Sequence, residues 1–390
     1  MSCVQRAAGI ATTIRAALDT SAVGSHSSGI GRYVTQLVLA LRRAGVAVVA
    51  GPELSLSRAP HGEARTGLAG SALTAANELL YERVRLPGVV RRAGVDLYHA
   101  TAARLPGRRL SVPIVVTIHD FAAFEFPSWQ GTLRGFNLRS QIRRAVSRAD
   151  LIVVPSVTIR QELERRFPSA ASRAVTIAHG VASVFHRTPR TDEGAAATTT
   201  FVSVATLERR KNLTTLLDAF ARVLAIHPGA RLRLIGQDQN AASAIQQRLD
   251  RLQIRQAVTT EGYVSDEQLA GAYAGALATV YPSVYEGFGL PIIESMASGT
   301  PVITSDRGAM REVAGGAALL VDPQDPDSIA AEMRRLAEDG RLRERLQSAG
   351  RERALAFTWD ACARRHLEAY GSLGDRSARR DRSRLVATAP

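Results

Sequence analysis

The chain has 390 residues, 45% apolar and 22% charged, with a formal net charge of +14 at pH 7. That length is a prior of two to three domains, and the composition excludes wholesale disorder and collagen-like structure. No apolar run approaches the ~18 residues of a membrane span, the first residues hold no apolar stretch of secretory length, and two cysteines, Cys3 and Cys362, build neither a disulfide framework nor a cysteine metal cage. The expected location is the cytosol.

In chain order, residues 14–18, 44–50, 95–100, 113–120 and 151–156 read as buried strands, with amphipathic stretches such as 32–44 and 141–149 between them. Continuous apolar strands alternating with helices indicate a parallel sheet covered on both faces. Segment 188–200 is small, polar and unpatterned and reads as an interdomain linker. A second series follows, with strands at 201–205, 231–235, 257–261, 276–282, 301–305 and 318–322. Its helical patterns lie at 213–226, 240–252, 266–274, 291–297 and 327–357, and a last helix at 358–373 precedes a basic tail, 374–390, expected to be disordered. The fold class is therefore α/β: two doubly wound domains, 1–187 and 201–357, facing across a cleft. Ligands in such sheets bind at the carboxyl ends of strands.

The charge is unevenly spread. Residues 1–190 carry 25 arginines against 11 acidic residues, and residues 191–390 carry 25 basic against 25 acidic. A basic half suits anionic partners. With no helix-turn-helix, RNP motif or interleaved aromatics, nucleic acid is not expected, which leaves an anionic membrane surface or a merely solvated face. Lys211 is the only lysine in the chain.

Four segments carry chemistry. Tyr285-Glu286-Gly287-Phe288-Gly289-Leu290-Pro291 leads from a strand into a helix that contains Glu294. The glycines allow close approach to the backbone, and the helix start offers free N–H groups and the positive end of a dipole. Glu286 and Glu294 then suit hydroxyls on two parts of one elongated polar ligand, or serve as a capping and a surface glutamate. Leu207-Glu208-Arg209-Arg210-Lys211 sits after the first strand of the second domain, where its cations suit a phosphate or diphosphate. Gly29-Ile30-Gly31-Arg32-Tyr33 is either a phosphate cradle or an ordinary tight turn, since it lacks the third glycine of the dinucleotide fingerprint. His119, followed by Asp120, ends a strand and can donate to a hydroxyl or leaving group, or be structural. Asp325-Pro326-Asp327 is explained by a turn and a helix cap, and no metal site is expected.

Together these residues resemble the retaining glycosyltransferases of family 4, which have the GT-B fold. The resemblance spans about residues 12–373. It rests on Gly29-Ile30-Gly31-Arg32-Tyr33, Val116-Thr117-Ile118-His119-Asp120, Val153-Val154-Pro155-Ser156, His179-Gly180-Val181, Arg210-Lys211-Asn212 and the Glu-x7-Glu pair Glu286/Glu294. Phe357-Thr358-Trp359-Asp360 resembles the start of the family's helix that crosses back to the first domain. The resemblance implies that Lys211 and Arg210 bind the donor diphosphate as it leaves. Glu286 would hold hydroxyls of the sugar with the amides of Phe288, Gly289 and Leu290, and Glu294 would accept from the ribose. Gly29 and Gly31 would let the first-domain loop close on the phosphates. His119 would lie near the reacting sugar, Val264 would meet the base through its backbone, and Ser156 and Asp120 are further candidates. There are two departures: His179 stands where the family often has asparagine, and Thr206 where it often has an arginine.

The glycine motif with Ile118-His119-Asp120 is most similar to the branch that transfers mannose from GDP-mannose. UDP-glucose, a UDP-N-acetylhexosamine or a deoxyhexose donor are the alternatives. The expected partners are the nucleotide-sugar donor, with no other cofactor, a polyprenyl-diphosphate-linked or other saccharide acceptor, and the inner face of the cell membrane. The other readings are a family-4 transferase acting on a soluble acceptor and a non-enzymatic nucleotide-sugar or nucleic-acid binder.

Overall fold

The computed structural model describes residues 14–23, 29–50, 85–129, 132–187 and 199–387, with side chains left out at 132–134 and 374–387. The first sheet contains β1 (Arg15–Leu18), β2 (Ala47–Ala50), β3 (Leu97–Ala100), β4 (Ile114–Thr117), β5 (Leu151–Val154) and β6 (Ala174–Thr176). The second contains β7 (Thr200–Val204), β8 (Arg231–Ile235), β9 (Val258–Glu261), β10 (Ala278–Tyr281), β11 (Val302–Ser305) and β12 (Leu319–Val321). Every pairing is parallel, in the orders β2-β1-β3-β4-β5-β6 and β12-β11-β10-β7-β8-β9. The central runs Ile-Val-Val-Thr, Leu-Ile-Val-Val and Ala-Thr-Val-Tyr are buried throughout, as strands covered on both faces must be. The strand order reverses at β1/β3 in one sheet and at β7/β10 in the other, so each domain has one topological switch point.

The helices that shape the cleft are α1 (Gly29–Arg43), α2 (Val157–Arg166), α3 (Asp266–Ala274), α4 (Leu290–Ala297), α5 (Gly308–Ala314) and α6 (Trp359–Ala387). The last of these crosses back to the first domain. Trp359, Cys362, Ala363, Tyr370 and Leu373 are buried there with Tyr33, Val34 and Leu37 of α1. Its start is pinned by a bridge between Val181 and Thr358. A Cβ on Gly180 would collide with the backbone of Thr358 and Trp359, which accounts for glycine in His179-Gly180-Val181.

Three further sets of bonds join the domains. Ser156 donates Oγ to the Gly287 carbonyl at 2.8 Å. Glu312, on α5, caps α2 across the gap, accepting from the N–H groups of Val157 at 2.7 Å and Thr158 at 2.8 Å. Tyr285 donates to Glu162 at 2.9 Å and accepts from the N–H of Phe121 at 3.0 Å.

The structure corrects several expectations. The pattern at 327–357 is two helices, Pro326–Glu338 and Gly340–Ala354, because Asp339 is extended and caps the second by accepting from the N–H of Leu342 at 2.9 Å. The helix expected at 141–149 begins at Thr132. The crossing helix does not stop at 373, and the tail expected to be disordered is helical as far as Ala387; five of the residues from 374 to 387 are arginines, which favour helix. β6, three half-buried residues at a sheet edge, was too short to show a pattern. Most of the expected linker, 188–198, lies outside the described residues, as does Cys3.

Candidate active site

A cleft enclosing about 350 Å³ lies between the domains. Its walls come from segments that follow strands: Gly29 and Arg32 after β1, His119 and Asp120 after β4, and Thr206, Glu208, Arg210 and Lys211 after β7. Gly236 and Gln237 follow β8, Val264 follows β9, and Glu286 through Pro291 with Glu294 follow β10. The carboxyl edges of both sheets therefore face one space, and it includes both switch points.

At its centre is a charged cluster. Glu286, 7% exposed, accepts from Lys211 Nζ at 2.6 Å and Tyr281 Oη at 2.8 Å on one oxygen, and from Arg210 Nη1 at 2.8 Å on the other. Arg210 also reaches Glu208 at 2.8 Å and stands 3.8 Å from Asp120 Oδ2. Burial alone would hold a proton on Glu286, but Arg210 and Lys211 outweigh it and bring its pKa down to about 2. Burial and the like charge of Arg210 draw Lys211 below its ordinary value, and Glu286 and Glu208 oppose that fall. Burial works against the charge of Arg210 too, and its three carboxylate neighbours more than restore it. The unique lysine is thus sunk in the cleft, 8% exposed.

Backbone donors line the next stretch. Among the described residues, none accepts from the N–H groups of Phe288, Gly289 or Leu290 as α4 begins. They are open to a ligand that brings its own acceptors. A Cβ on Gly287 would strike the His119 carbonyl, so glycine there is what lets this loop close against the first domain.

Glu294, 1% exposed, is gripped by Arg32 Nη1 at 2.7 Å and accepts from Tyr273 Oη at 3.2 Å. Burial raises its pKa, and Arg32 opposes the rise. His119 Nε2 meets the Thr101 carbonyl at 2.9 Å. A carbonyl only accepts, so Nε2 carries the proton. Burial lowers the His119 pKa and favours the neutral ring. The expectation that His119 donates to the substrate is therefore reversed: its Nδ1 is left to accept from a hydroxyl. Asp120 Oδ1 accepts from the N–H of Ala122 at 2.9 Å.

Two candidates fall away from the walls. Gly31 is buried inside α1 rather than in a loop, and does not line the cleft. Ser156 is 1% exposed, committed to Gly287 and to capping α2, and acts between domains rather than on a ligand. The remaining candidates, Gly29, His119, Asp120, Arg210, Lys211, Val264, Glu286, Phe288, Gly289, Leu290 and Glu294, all line it. Of the two departures, Thr206 lines the wall and donates to Glu208 at 3.1 Å. His179 lines the wall as well, with ring centroids 4.5 Å from Tyr33 and 4.9 Å from Phe288. Tyr281 lies in an expected strand and Tyr285 and Arg32 in quoted motifs, but nothing in the sequence signalled the partners these three side chains take. Among the described residues no group of three or more His, Cys, Asp or Glu is arranged to hold a metal ion.

Comparison with known proteins agrees with this geometry. Residues 27–183 match the model described as glycosyltransferase family 4, and residues 191–353 match that of glycosyl transferases group 1. The chain is 32% identical over 288 residues to the O-antigen chain mannosyltransferase B of Escherichia coli, covering 70% of this chain and 74% of that protein. It is 38% identical over 165 residues to an MMP alpha-(1->4)-mannosyltransferase of Mycolicibacterium hassiacum, 41% of this chain and 39% of that one. A sucrose-phosphate synthase from Thermosynechococcus elongatus superposes with a TM-score of 0.77 at 25% identity, over 93% of this chain and 99% of that one. Two parallel sheets, a cleft at their facing carboxyl edges and a helix that crosses back are thus the architecture of a known class, and the chain belongs to the GT-B glycosyltransferases of family 4.

Proposed function

We propose that this transferase moves mannose from GDP-mannose, with retention of configuration and formation of an α-linkage, onto a polyprenyl-diphosphate-linked oligosaccharide during exopolysaccharide or O-antigen assembly. The observation that carries the chemistry is the buried Arg210–Lys211–Glu286 cluster beside three unpartnered amides. As the anomeric C–O bond breaks, negative charge grows on the departing diphosphate and positive charge on the anomeric carbon. Lys211 and Arg210 line the cleft with the N-terminus of α4, and in this reading they exchange Glu286 for the diphosphate on which that charge grows. This charge stabilisation requires no metal in the proposed reaction. Glu286 and the amides of Phe288, Gly289 and Leu290 hold the sugar, Glu294 accepts from the ribose, Val264 meets the base through its backbone, and His119 accepts from a hydroxyl near the reacting carbon. The acceptor hydroxyl attacks on the face from which the diphosphate leaves and gives its proton to the departing phosphate oxygen, so the new bond replaces the broken one with retention.

Mannose as the sugar is supported by the two mannosyltransferase relatives, and a lipid-linked acceptor by the O-antigen enzyme among them. No helix among the described residues is long and apolar enough to cross a membrane. The excess charge of the first half supports a peripheral place on the inner membrane face. The test is donor-dependent transfer: purified protein, a panel of GDP- and UDP-sugars and a membrane lipid extract, with sugar followed into the lipid phase. Incorporation from GDP-mannose alone is expected. Incorporation from a UDP-sugar would replace the donor and keep the site.

A further inference from the structure

We infer that Arg32 is a positioning residue of the donor site: from the first domain it holds the Glu294 carboxylate of the second, so the nucleoside seat is assembled from both domains and is complete only when they close. The inference rests on the proposed reading of the cleft as a nucleotide-sugar site and adds a residue to it.

Arg32 lies in the first turn of α1, and its side chain is 19% exposed at the cleft wall. Its fork spans two carboxylates of the other domain, Nη1 to Glu294 at 2.7 Å and Nη2 to Asp266 at 2.6 Å. Only the planar guanidinium, with donors at fixed angles, serves both at once. Among the described residues these are the shortest ion pairs that cross between the domains. The two ends differ. Asp266, 28% exposed at the start of α3, is partly wet and tolerates loss of its partner. Glu294 is almost fully buried, and a buried carboxylate without its cation is costly. With the domains apart, Glu294 keeps only the Tyr273 hydroxyl.

The carboxylate retains capacity for substrate. It has about four lone-pair sites, of which Arg32 and Tyr273 take two. The other two are free for a pair of ribose hydroxyls, which need an ionised acceptor held in one orientation. Arg32 supplies that condition without touching the reacting carbon.

The test compares wild type with Arg32→Ala, Arg32→Lys and Asp266→Asn. It measures binding of GDP, UDP and ADP by calorimetry, donor KM and kcat, and radius of gyration with and without the nucleotide that binds. Arg32→Ala is expected to weaken nucleotide binding about tenfold or more. It should raise donor KM more than it lowers kcat and abolish nucleotide-induced contraction. Arg32→Lys should recover part of the affinity through one bond, and Asp266→Asn should stay within about twofold of wild type, because it leaves the bond to Glu294 in place. Unchanged nucleotide affinity in Arg32→Ala would overturn the inference and leave the donor site standing. Equal losses in Arg32→Ala and Asp266→Asn would make the arginine a general clamp and overturn its assignment to the ribose seat. If wild type binds none of the three nucleotides, the reading of the cleft falls and this inference falls with it.

Discussion

At the residue scale, the cleft carries its own anion. Glu286 occupies both cations that we propose bind the diphosphate, with bonds of 2.6 and 2.8 Å, so on that reading an arriving diphosphate would displace a carboxylate. That displacement would also free Glu286 for sugar hydroxyls, tying the proposed grip on the leaving group to the proposed grip on the transferred group. Two substitutions should then diverge. Lys211→Ala removes a charge aimed at the departing diphosphate and is expected to cut turnover by about a thousandfold or more with the fold intact. Glu286→Gln should also slow turnover, but bind the free nucleoside diphosphate several-fold more tightly, because charge-assisted bonds to the competing carboxylate, each worth roughly 1.5–3 kcal/mol, are weakened. Calorimetry against steady-state kinetics checks the pair, and weaker binding in Glu286→Gln would contradict the displacement. Lys211, Arg210, Glu286 and Glu294 were legible in the sequence because each sits in a short segment of recognisable chemistry. Their pairing was not, since Lys211 and Glu286 are 75 residues apart and Arg32 and Glu294 are 262 apart. Gly31 and Ser156 were misplaced for the same reason: their neighbours come from packing, not from their own segments.

At the element scale, strands showed themselves as continuous apolar runs, and 213–226, 231–235 and 266–274 were placed residue for residue. Their ends were read too long where polar residues such as His119 and Ser156 leave the ladder to serve the cleft or an interdomain bond. Short amphipathic pieces such as α5 gave no usable period, because seven residues make barely two turns. The crossing helix holds a feature that no motif announced. His366 lies fully buried against Tyr33, Cys362, His99 and Tyr370, with its Nδ1 donating to the Cys362 carbonyl at 2.9 Å and no carboxylate beside it. Burial lowers its pKa to about 4, and His99 and His179 are held lower than usual by burial too. The unfolded chain gains these protons below the ordinary histidine value of about 6.5, whereas the folded chain does not. Stability is therefore full above that value and falls as pH drops toward 4, by about 1.4 kcal/mol per pH unit for each such histidine. The raised pKa values of Glu162 and Glu294 work in the opposite direction. Thermal melting from pH 7.5 to 4.5 should show a falling midpoint, and His366→Gln should flatten the curve. An unchanged slope in that variant would place the acid sensitivity elsewhere.

At the scale of the whole molecule, the two halves divide the labour electrostatically. The second half is neutral in sum, whereas the first half carries the full excess of +14. Among the described residues little of that excess is spent on the site: of the first-half arginines described, Arg32 alone lines the cleft. Others gather on the outside of the domain. Arg144 and Arg148, at the end of helix Thr132–Arg148, both donate to the Pro106 carbonyl at 2.8 Å, with Arg109 close enough to depress Arg148 further. Phe136 on the same helix is 65% exposed. Among the described residues Arg144 and Arg148 have no carboxylate partner, and with the exposed ring of Phe136 on the same helix they suit an anionic interface, where each nearby cation contributes about 1 kcal/mol. The attraction acts through solvent and is screened over about 8 Å at physiological salt. The protein should therefore sediment with vesicles containing phosphatidylglycerol at low salt, stay in solution with neutral phosphatidylcholine vesicles, and be released from the first by about 0.5 M salt. Replacing Arg109 and Arg144 by glutamate should cut binding to the anionic vesicles several-fold while leaving nucleotide affinity unchanged, since neither residue reaches the cleft. Equal partitioning onto both kinds of vesicle would make the basic half a solvated face and remove the membrane from the proposed function.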